Sequence, residues 1–216
     1  MSVIPFGTAD EHAAAASQVK EHLAAGGLLA YPTETVYGLG SRAMPDDVAA
    51  LAALKGRPEG KPFLVLVSGR GMAADYGFEF TEAANALAEA FWPGPLTLIL
   101  PGATQLPATL RGPEGGVAVR WTSHAGMAEL IGRLGELITS TSANRPGGPT
   151  APGVGAIVET FGAAVTSGQL LVLDGGVLGN VPPSTLVDCT TPIPRLVREG
   201  AIPRRELQRA AGSSAP

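Results

Sequence analysis

The sequence predicts an α/β domain built around one mixed β-sheet. Short apolar runs typical of buried strands alternate with segments in which apolar residues recur at helical spacing. Several strand-like runs follow one another with no helix between them, so a fully parallel sheet is not expected. A chain of 216 residues suits one sizeable core. We therefore expect a twisted sheet with flanking helices over residues 1–203 and a short C-terminal tail over 204–216.

A helix followed by a strand opens the chain. Residues 10–25 carry acidic residues early and Ala, Val and Leu at helical spacing, and a Gly-Gly pair follows as a stop signal. The apolar run LLAY at 28–31 is short and bounded by glycine and proline, which is typical of a buried strand. The polar stretch YPTETVYGLG at 31–40 therefore lies at a strand end, and its side chains are candidates for a binding site.

The rest of the chain continues this alternation. Asp46 or Asp47 can cap a helix that runs through Leu54, and Thr81 can cap a helix that runs through Phe91. The Ala- and Ser-rich tail has little left to bury, so we expect it to fray after a short helix. Further helices are predicted from Ser123 and over about 154–161, and strands at FLVLV (63–67), LTLIL (96–100), GVAVRW (116–121), ELITST (136–141), LLVLD (170–174), STLVD (184–188) and RLVREG (195–200).

Composition excludes several classes of protein. Hydrophobic residues make up 45% of the chain and charged residues 16%, which is not the composition of a disordered chain. No apolar run reaches the roughly 18 residues that cross a bilayer, and no signal peptide is visible, so we expect a cytoplasmic protein with no membrane partner. Cys189 is the only cysteine, and the three histidines lack metal-ligand spacing. The net charge of -4 confines any anion site to a local pocket.

Two groups of cations are candidates for such a pocket. The loop KGRPEGK places Lys55, Arg57 and Lys61 within seven residues, and cations this close repel one another unless an anion lies between them. A polyphosphate would satisfy that need, and a solvated basic loop is the alternative. Arg120 ends an apolar strand, where an unpaired guanidinium is costly. It needs an anionic partner, which is either a ligand or a structural glutamate.

Hydroxyl and amide side chains cluster at the strand end STSAN, residues 140–144. They could bind phosphate oxygens or Mg²⁺-bound water, and a helix cap or Asx turn would use the same residue types. The sequence contains no P-loop, no complete dinucleotide-binding glycine motif and no G-x-S-x-G turn, so it gives little support to those nucleotide sites or to a hydrolase triad. Trp92 and Trp121 are expected in the core rather than stacked on a ligand.

Taken in order, these segments resemble a known family. The chain presents YPTETVYGLG, KGRP followed by K-P and an apolar strand, WPGPLTLIL, GVAVRW, TSAN with a trailing P-T, STLVD and LVREGAI. This series covers about residues 11–203 and is similar to the YrdC-like family of L-threonylcarbamoyladenylate synthases in its short, single-domain form. Each segment is unspecific alone, but the joint match is highly specific.

The resemblance implies a fold and a reaction. The fold would be a twisted α/β sheet with a large, basic, concave cleft. The reaction would be that of a nucleotidyltransferase that joins L-threonine, bicarbonate or CO₂, and ATP into threonylcarbamoyl-AMP and pyrophosphate, with Mg²⁺ carried by ATP and no dedicated protein ligand for it. The product would feed N6-threonylcarbamoyladenosine synthesis on tRNA through a threonylcarbamoyl transferase complex. No protein nucleophile is required, so positioning and charge neutralisation would supply most of the catalysis.

The resemblance also implies roles for individual residues. Glu34 is expected to be structural, as a carboxylate stabilised in its charged form among cations. The family's Lys-x-Arg and Ser-x-Asn signature matches the expected catalytic residues Lys55, Arg57, Ser142 and Asn144. L-Threonine would be bound by Thr33, Arg120, Ser140 and Ser184, and ATP by Arg57, Lys61, Ser142, Thr150 and Arg198.

Two positions depart from the family pattern. Leu66 stands where many members have a histidine, and Pro183 stands where many have a glutamate. The first departure weakens an expected contact to threonine, and the second is expected to reshape the pocket wall. The segment RPGGP at 145–149 is a candidate lid. Two alternatives stay open: a paralogue with other carbamoyl or nucleotide chemistry, as in a hydrogenase maturation protein, and a non-enzymatic RNA-binding domain that uses the basic cleft.

Overall fold

The structure is a computed structural model that describes residues 2–57 and 60–211. Pro58 and Glu59 of the basic loop and residues 212–216 of the predicted tail lie outside the described residues. The described elements, in chain order, are β1 (Val3–Pro5), α1 (Ala9–Ala24), β2 (Leu28–Tyr31), β3 (Gly38–Gly40), α2 (Pro45–Lys55), β4 (Leu64–Val67), α3 (Arg70–Asp75), α4 (Glu82–Phe91), β5 (Leu96–Leu100), β6 (Val117–Trp121), α5 (Ala125–Leu134), β7 (Ile138–Ser142), α6 (Val154–Thr166), β8 (Leu170–Asp174), β9 (Thr185–Asp188), β10 (Arg195–Arg198) and α7 (Arg204–Ala211).

The strands form one sheet in the order β1-β8-β2-β3-β7-β4-β6-β5-β9-β10. The pairs β1/β8, β8/β2, β4/β6 and β5/β9 are parallel, and the other five pairs in this order are antiparallel. The predicted mixed sheet is therefore confirmed. A short 3₁₀ turn at Ala108–Leu110 lies between β5 and β6.

Side-chain caps fix the starts of two helices. Thr8 and Glu11 form a capping box at the start of α1, in which each side chain accepts from the other residue's backbone N–H. Thr81 accepts from the backbone N–H of Ala84 and caps α4, as predicted. These bonds satisfy N–H groups that a helix start otherwise leaves unpaired.

The predicted cap of α2 is wrong. Helix α2 begins at Pro45 after Met44, so Asp46 and Asp47 lie inside the first turn instead of capping it. Proline at the first helical position needs no N–H partner, and Asp47 is occupied by an ion pair with Arg42 at 2.9 Å.

The cap of α5 and the end of α6 also differ from expectation. His124, not Ser123, caps α5, because its ring Nδ1 accepts from the backbone N–H of Met127 at 3.3 Å. Helix α6 continues past the expected end at 161 to Thr166, with a kink at Phe161 (φ −124°, ψ 21°). Phe161 is buried, so the packing of its side chain in the core stabilises the helix on both sides of the kink.

Hydrophobic clusters cover both faces of the sheet. On one face, α1 and α5 pack against side chains such as Leu29, Leu66 and Ile138. The opposite face carries the larger cluster, in which α2, α4, α6 and α7 pack against the strands. Helix α7 contributes Leu207, which is fully buried, although it lies in the predicted tail. Within the described ranges, none of the helices is long and apolar enough to span a membrane.

Strand alternation places polar residues on the face that α1 and α5 partly cover. Leu66 pairs with Arg120 across β4 and β6, so both side chains lie on this face. Their neighbours Val65 and Val119 point into the larger cluster on the other side. Beyond the two helices this face carries a cleft, described below.

One long connection crosses the sheet. Residues 175–184 join β8 to β9, which are seven strand positions apart in the sheet order. The Tyr37 hydroxyl anchors the start of this connection, because it donates to the Gly176 carbonyl (2.8 Å) and accepts from the Gly175 N–H (3.1 Å). The Leu178 N–H donates to the Pro152 carbonyl at 2.8 Å, so the connection is also fixed further along.

Candidate functional site

The cleft has a volume of about 260 Å³ and lies on the α1/α5 face of the sheet. Its walls come from the turn after β2 and from strands β3, β4, β5, β6, β7, β9 and β10. The predicted site residues that line it are Thr33, Arg57, Arg120, Ser140, Ser142, Thr150, Ser184 and Arg198. Strands that are distant in the sheet order meet at this small cavity, so the sheet must be strongly curved around it.

Thr33 organises the turn that follows β2. Its hydroxyl donates to the Val36 carbonyl at 2.7 Å and accepts from the N–H groups of Thr35 and Val36, each at 3.2 Å. The hydroxyls of Thr33 and Thr35 are 3.0 Å apart. The Thr33 hydroxyl proton and both of its lone pairs are therefore used within the protein, so a ligand could use this residue only through its methyl group or its backbone.

The glycines after this turn let the chain pass close to Tyr31. A Cβ on Gly40 would lie 2.2 Å from the Thr139 carbonyl, and one on Gly38 would lie 2.8 Å from the Tyr31 ring. Tyr31 is fully buried and donates its hydroxyl to that same carbonyl at 3.0 Å. Close packing thus requires glycine at both positions. This packing holds the preceding turn at the edge of the cleft.

Arg120 and Glu34 form a buried ion pair at the cleft. Arg120 Nη2 is 2.6 Å from Glu34 Oε2, and Thr122 donates its hydroxyl to the same oxygen. Burial alone would raise the pKa of Glu34, but the charge of Arg120 and the bond from Thr122 lower it below its ordinary value. Glu34 is therefore ionised at neutral pH. The expectation that it is structural agrees with this arrangement.

Arg57 reaches the cleft from the loop after α2. Its guanidinium donates to the carbonyls of Lys61 (2.6 Å) and Pro62 (2.7 Å) and to the Thr141 hydroxyl (3.1 Å). It also lies over the Phe63 ring, 4.5 Å from the centroid. Burial lowers the pKa of Arg57. These neutral partners fix the guanidinium without neutralising it.

Lys55 joins two elements. Its ammonium donates to the carbonyls of Ser142 and Asn144, each at 2.6 Å, and to the Asn144 side-chain oxygen. Ser142 donates its hydroxyl to that oxygen at 2.7 Å, and the Asn144 amide donates to the Gly148 carbonyl at 2.6 Å. We call this arrangement the Lys55 clamp, since it ties the end of α2 to the end of β7. Burial, followed by the charge of Arg57, lowers the pKa of Lys55 to about 8.

The three cations of the basic loop therefore do not converge on one anion. Lys55 is held by the clamp, Arg57 lines the cleft, and the exposed Lys61 lines a neighbouring cavity beside α2. Neutral oxygens hold Lys55 and Arg57 in place, while the charge of Arg57 still lowers the pKa of Lys55. The roles expected of Lys55, Lys61 and Asn144 in catalysis or ATP binding stay predictions.

Contacts at Arg145 and Gly148 hold the candidate lid, residues 145–149, against the rest of the protein. Arg145 donates to the Leu54 carbonyl at 2.8 Å and lies 5.1 Å from the centroid of the Phe161 ring. The Gly148 carbonyl accepts the Asn144 amide, as described above. Opening of this segment would have to break these contacts, which weakens its candidacy as a lid.

The far wall of the cleft comes from β9, β10 and β5. Arg198 donates to the Ser184 carbonyl at 2.8 Å, and the Ser184 hydroxyl is 2.8 Å from that of Thr97. Burial and then the charge of Arg120 lower the pKa of Arg198. Arg120 and Arg198 both line the cleft, near enough for the charge of one to act on the other.

Other expected features have a place in the structure. Trp92 is buried and donates its ring N–H to the Leu96 carbonyl at 2.7 Å, as a core residue would. Cys189 is buried, and burial together with Asp188 raises its pKa to about 12. Across residues 2–57 and 60–211, no group of three or more His, Cys, Asp or Glu side chains could hold a metal ion.

The sequence matches one family over most of its length. The model of the Sua5, YciO and YrdC proteins, described as telomere recombination, matches residues 21–200.

This chain belongs to the Sua5/YciO/YrdC family.

Curated relatives of this chain include proteins named threonylcarbamoyl-AMP synthase. A threonylcarbamoyl-AMP synthase of Pyrococcus abyssi is 35% identical over 188 residues, which cover 87% of this chain and 54% of the relative. One of Thiobacillus denitrificans is also 35% identical, over 85% of this chain and 96% of the relative. The chain thus spans about half the length of the first relative and almost all of the second.

Solved structures of family members have the same fold. Sua5 of P. abyssi in complex with L-threonine matches with a TM-score of 0.86 and 31% identity, over 98% of this chain and 61% of that protein. E. coli YciO matches with a TM-score of 0.81 and 25% identity, over 95% and 97% of the two chains.

The two departures from the family pattern lie in different surroundings. Leu66 is fully buried in the cluster under α1 and α5, so its side chain serves the core. Pro183 lines the cleft wall beside Ser184. Its effect is on the shape of the cleft.

Two further cleft residues were missed by sequence analysis. Thr35 lies 3.4 Å from both Nη atoms of Arg120, and Thr97 faces Ser184. The alternation in LTLIL was the available signal for Thr97, since the single hydroxyl residue in an apolar strand points to one face. Thr35 could have been suspected from its place in the polar turn.

Proposed function

We propose that this protein is a threonylcarbamoyl-AMP synthase, which joins L-threonine, bicarbonate or CO₂, and ATP and releases threonylcarbamoyl-AMP and pyrophosphate. The observation that carries the proposal is the convergence of Arg57, Arg120 and Arg198 on one hydroxyl-lined cleft. This reaction must hold a carboxylate and a polyphosphate side by side, which requires such cations. The relatives named threonylcarbamoyl-AMP synthase, at 35–38% identity, support it.

The chemistry fits a site without a protein nucleophile. The threonine amine forms a bond to the carbon of CO₂ and loses a proton, which gives a carbamate. A carbamate oxygen then attacks the α-phosphorus of ATP, and the bond to the bridging oxygen of the β-phosphate breaks as pyrophosphate leaves. The protein's task is to bring the reactants together and to offset their negative charges.

The cleft residues divide between the two substrates. Arg120, with Ser140 and Ser184, would bind threonine, and Thr33 would shape that end of the cleft. Arg57 would bind the triphosphate, with Ser142, Thr150 and Arg198 along the same wall. The Lys55 clamp would hold Ser142 in place. Within the Lys-x-Arg and Ser-x-Asn signature, Arg57 and Ser142 would therefore bind the substrate, and Lys55 and Asn144 would support them.

Mg²⁺ would enter as part of the ATP substrate. The cleft-lining residues that the structure describes offer hydroxyls and guanidiniums but no carboxylate. Mg²⁺ prefers anionic oxygen ligands, so the phosphates rather than the protein would hold it. There it would neutralise part of the triphosphate charge.

The product implies a second protein. Threonylcarbamoyl-AMP is a mixed anhydride that must pass its threonylcarbamoyl group to a nucleophile and release AMP. A threonylcarbamoyl transferase complex acting on tRNA adenosine is the proposed acceptor system, and this role would place the protein in the cytoplasm.

One assay tests the function. The pure protein is incubated with ATP, Mg²⁺, bicarbonate and L-threonine, and pyrophosphate is measured, with reactions that lack threonine or bicarbonate as controls. We expect release that depends on both. Release that persists without either one would indicate a paralogue with other chemistry. Salt-dependent RNA affinity without ATP turnover would favour the RNA-binding alternative.

A matched pair of variants tests the division of the cleft. Arg57→Ala should weaken ATP binding far more than threonine binding, and Arg120→Ala should do the reverse. Titration calorimetry with each substrate separates the two effects. If both variants change only the unfolding temperature, the assignment of the arginines is wrong.

A further inference from the structure

The three arginines of the cleft differ in how they are neutralised. Arg120 has a carboxylate partner, Glu34, which is also held by Thr122. The hydrogen bonds of Arg57 go to two main-chain carbonyls and a threonine hydroxyl, and Arg198 donates to a carbonyl. Within the described part of the chain, Arg120 is thus the one cleft arginine with an ion-pair partner.

The ion pair leaves part of the guanidinium free. The side chains of Arg120 and Glu34 are 6% and 17% exposed. In the described structure, the buried Arg120 Nε and Glu34 Oε1 have no hydrogen-bond partner. The contacts from Arg120 to Thr35 are long, at 3.4 Å. Arg120 itself lines the cleft, so a ligand carboxylate would meet the part of the guanidinium that Glu34 does not hold.

We propose that Glu34 makes Arg120 selective for a singly charged carboxylate and excludes phosphate from it, while it holds the guanidinium in the orientation that the amino acid meets. The inference rests on the proposed function and deepens it. Glu34 holds Arg120 but is not itself among the cleft-lining residues, so it is a positioning residue.

The physical reason is the balance of charge. An ionised Glu34 offsets most of the charge of Arg120, so a phosphate would meet a nearly neutral pair and a nearby carboxylate. A carboxylate carries less charge and is bound well by directed N–H donors. Arg57 and Arg198 keep their charge and attract the triphosphate. The two anionic substrates are thereby sent to different arginines, which prevents ATP phosphates or released pyrophosphate from occupying the threonine position.

Inorganic phosphate is the probe that tests this selectivity. Titration calorimetry measures L-threonine binding with and without phosphate in the wild type, Glu34→Gln and Glu34→Asp. In the wild type, phosphate should compete with ATP and leave the threonine Kd unchanged. In Glu34→Gln, phosphate should raise the apparent threonine Kd by about tenfold or more, because the charge of Arg120 is released.

Glu34→Asp separates charge from position. The shorter carboxylate keeps its charge, so phosphate should still be excluded, but Arg120 is displaced and the threonine Kd should rise by about tenfold. The double variant Glu34→Gln with Arg120→Gln should lose the phosphate binding that Glu34→Gln gains.

The possible outcomes are distinct. Competition between phosphate and threonine in the wild type overturns the inference without any variant, so it stays testable even if Glu34→Gln does not fold. A folded Glu34→Gln protein that still excludes phosphate also overturns it. If the wild type releases no threonine-dependent pyrophosphate, the proposed function fails. The selectivity of Arg120 is then judged from phosphate binding alone: tighter phosphate binding by Glu34→Gln than by the wild type supports it, and equal binding overturns it.

Discussion

Single residues at the cleft serve folding and binding at once. The Thr33 hydroxyl closes the turn after β2, and the turn places Thr35 beside Arg120. A change at Thr33 that disturbs the turn therefore reaches the threonine site through the backbone. The same logic applies to Glu34, whose contacts are with Arg120 and Thr122.

A pair of substitutions at Thr33 separates its hydroxyl from its methyl group. Thr33→Val removes the hydroxyl and leaves two buried N–H groups and one carbonyl without this partner, so the free energy of unfolding should fall by about 1–2 kcal/mol. Thr33→Ser keeps the hydroxyl and should cost less. Urea denaturation measures both. Equal stability of Thr33→Val and the wild type would show that the turn does not depend on this hydroxyl.

The pH dependence of stability should contain a contribution from Glu34. Because its pKa in the folded protein lies below its ordinary value of 4.5, the unfolded chain binds the proton more readily. The stability that Glu34 contributes is therefore present above about pH 4.5 and is lost as the pH falls through the folded pKa. We expect the difference in unfolding free energy between the wild type and Glu34→Gln to shrink on acidification from neutral pH. A difference that stays constant would mean that the carboxylate gains nothing from its ion pair.

Among the secondary-structure elements, α2 and β7 are joined by the Lys55 clamp. The last residue of α2 donates to three oxygens at the end of β7, which come from a strand and turn almost ninety positions later in the chain. Helix and strand ends usually leave backbone carbonyls unpaired, and here one ammonium satisfies two of them.

Removal of the clamp should loosen these two elements. Lys55→Met keeps the length of the side chain but removes three donors, so the free energy of unfolding should fall by about 2–4 kcal/mol. Lys61→Met is the matched control in the same loop, because Lys61 is exposed and should change stability by less than about 0.5 kcal/mol. Denaturant unfolding compares the two. A similar small effect for both lysines would contradict a structural role for Lys55.

Short sequence patterns correctly predicted those helices and strands whose formation is decided by residues close together in the chain. The apolar runs marked β2, β5 and β8, and Thr81 marked the start of α4, because burial and capping are decided within a few positions. The short strand β3 was not predicted, since GLG has no strand pattern of its own. It forms because its glycines fit against Tyr31 and its backbone pairs with β2 and β7.

At the scale of the whole molecule, the sheet separates the larger hydrophobic cluster from the face that carries the smaller cluster and the cleft. Ala118 and Val119 are neighbours on β6, yet Ala118 lines the cleft and Val119 is fully buried in the larger cluster. The sequence predicted that Arg120 needs an anionic partner but could not choose between a ligand and a structural glutamate, because the choice depends on which segments lie side by side in the fold. The structure pairs Arg120 with Glu34 and still leaves it on the cleft wall.

Two neighbouring substitutions test this division of faces. Ala118→Leu should fill the cleft and weaken threonine or ATP binding by about tenfold or more with little change in unfolding temperature, since the added atoms meet open space. Val119→Leu should lower the free energy of unfolding by about 1–3 kcal/mol through overpacking and leave substrate binding intact. Calorimetry and thermal unfolding on both variants give the comparison. Exchanged effects would mean that the faces are assigned the wrong way round.

The connection that crosses the sheet limits the shape of the molecule. Eleven Cα–Cα steps lead from Asp174 to Thr185 and can span at most about 36–40 Å, and seven strand spacings in a flat sheet amount to about 33–34 Å. The hydrogen bond at Leu178 and the anchor at Tyr37 prevent full extension. With this little spare length the connection favours a bent sheet, so backbone connectivity contributes to the hollow of the cleft together with the side chains that line it.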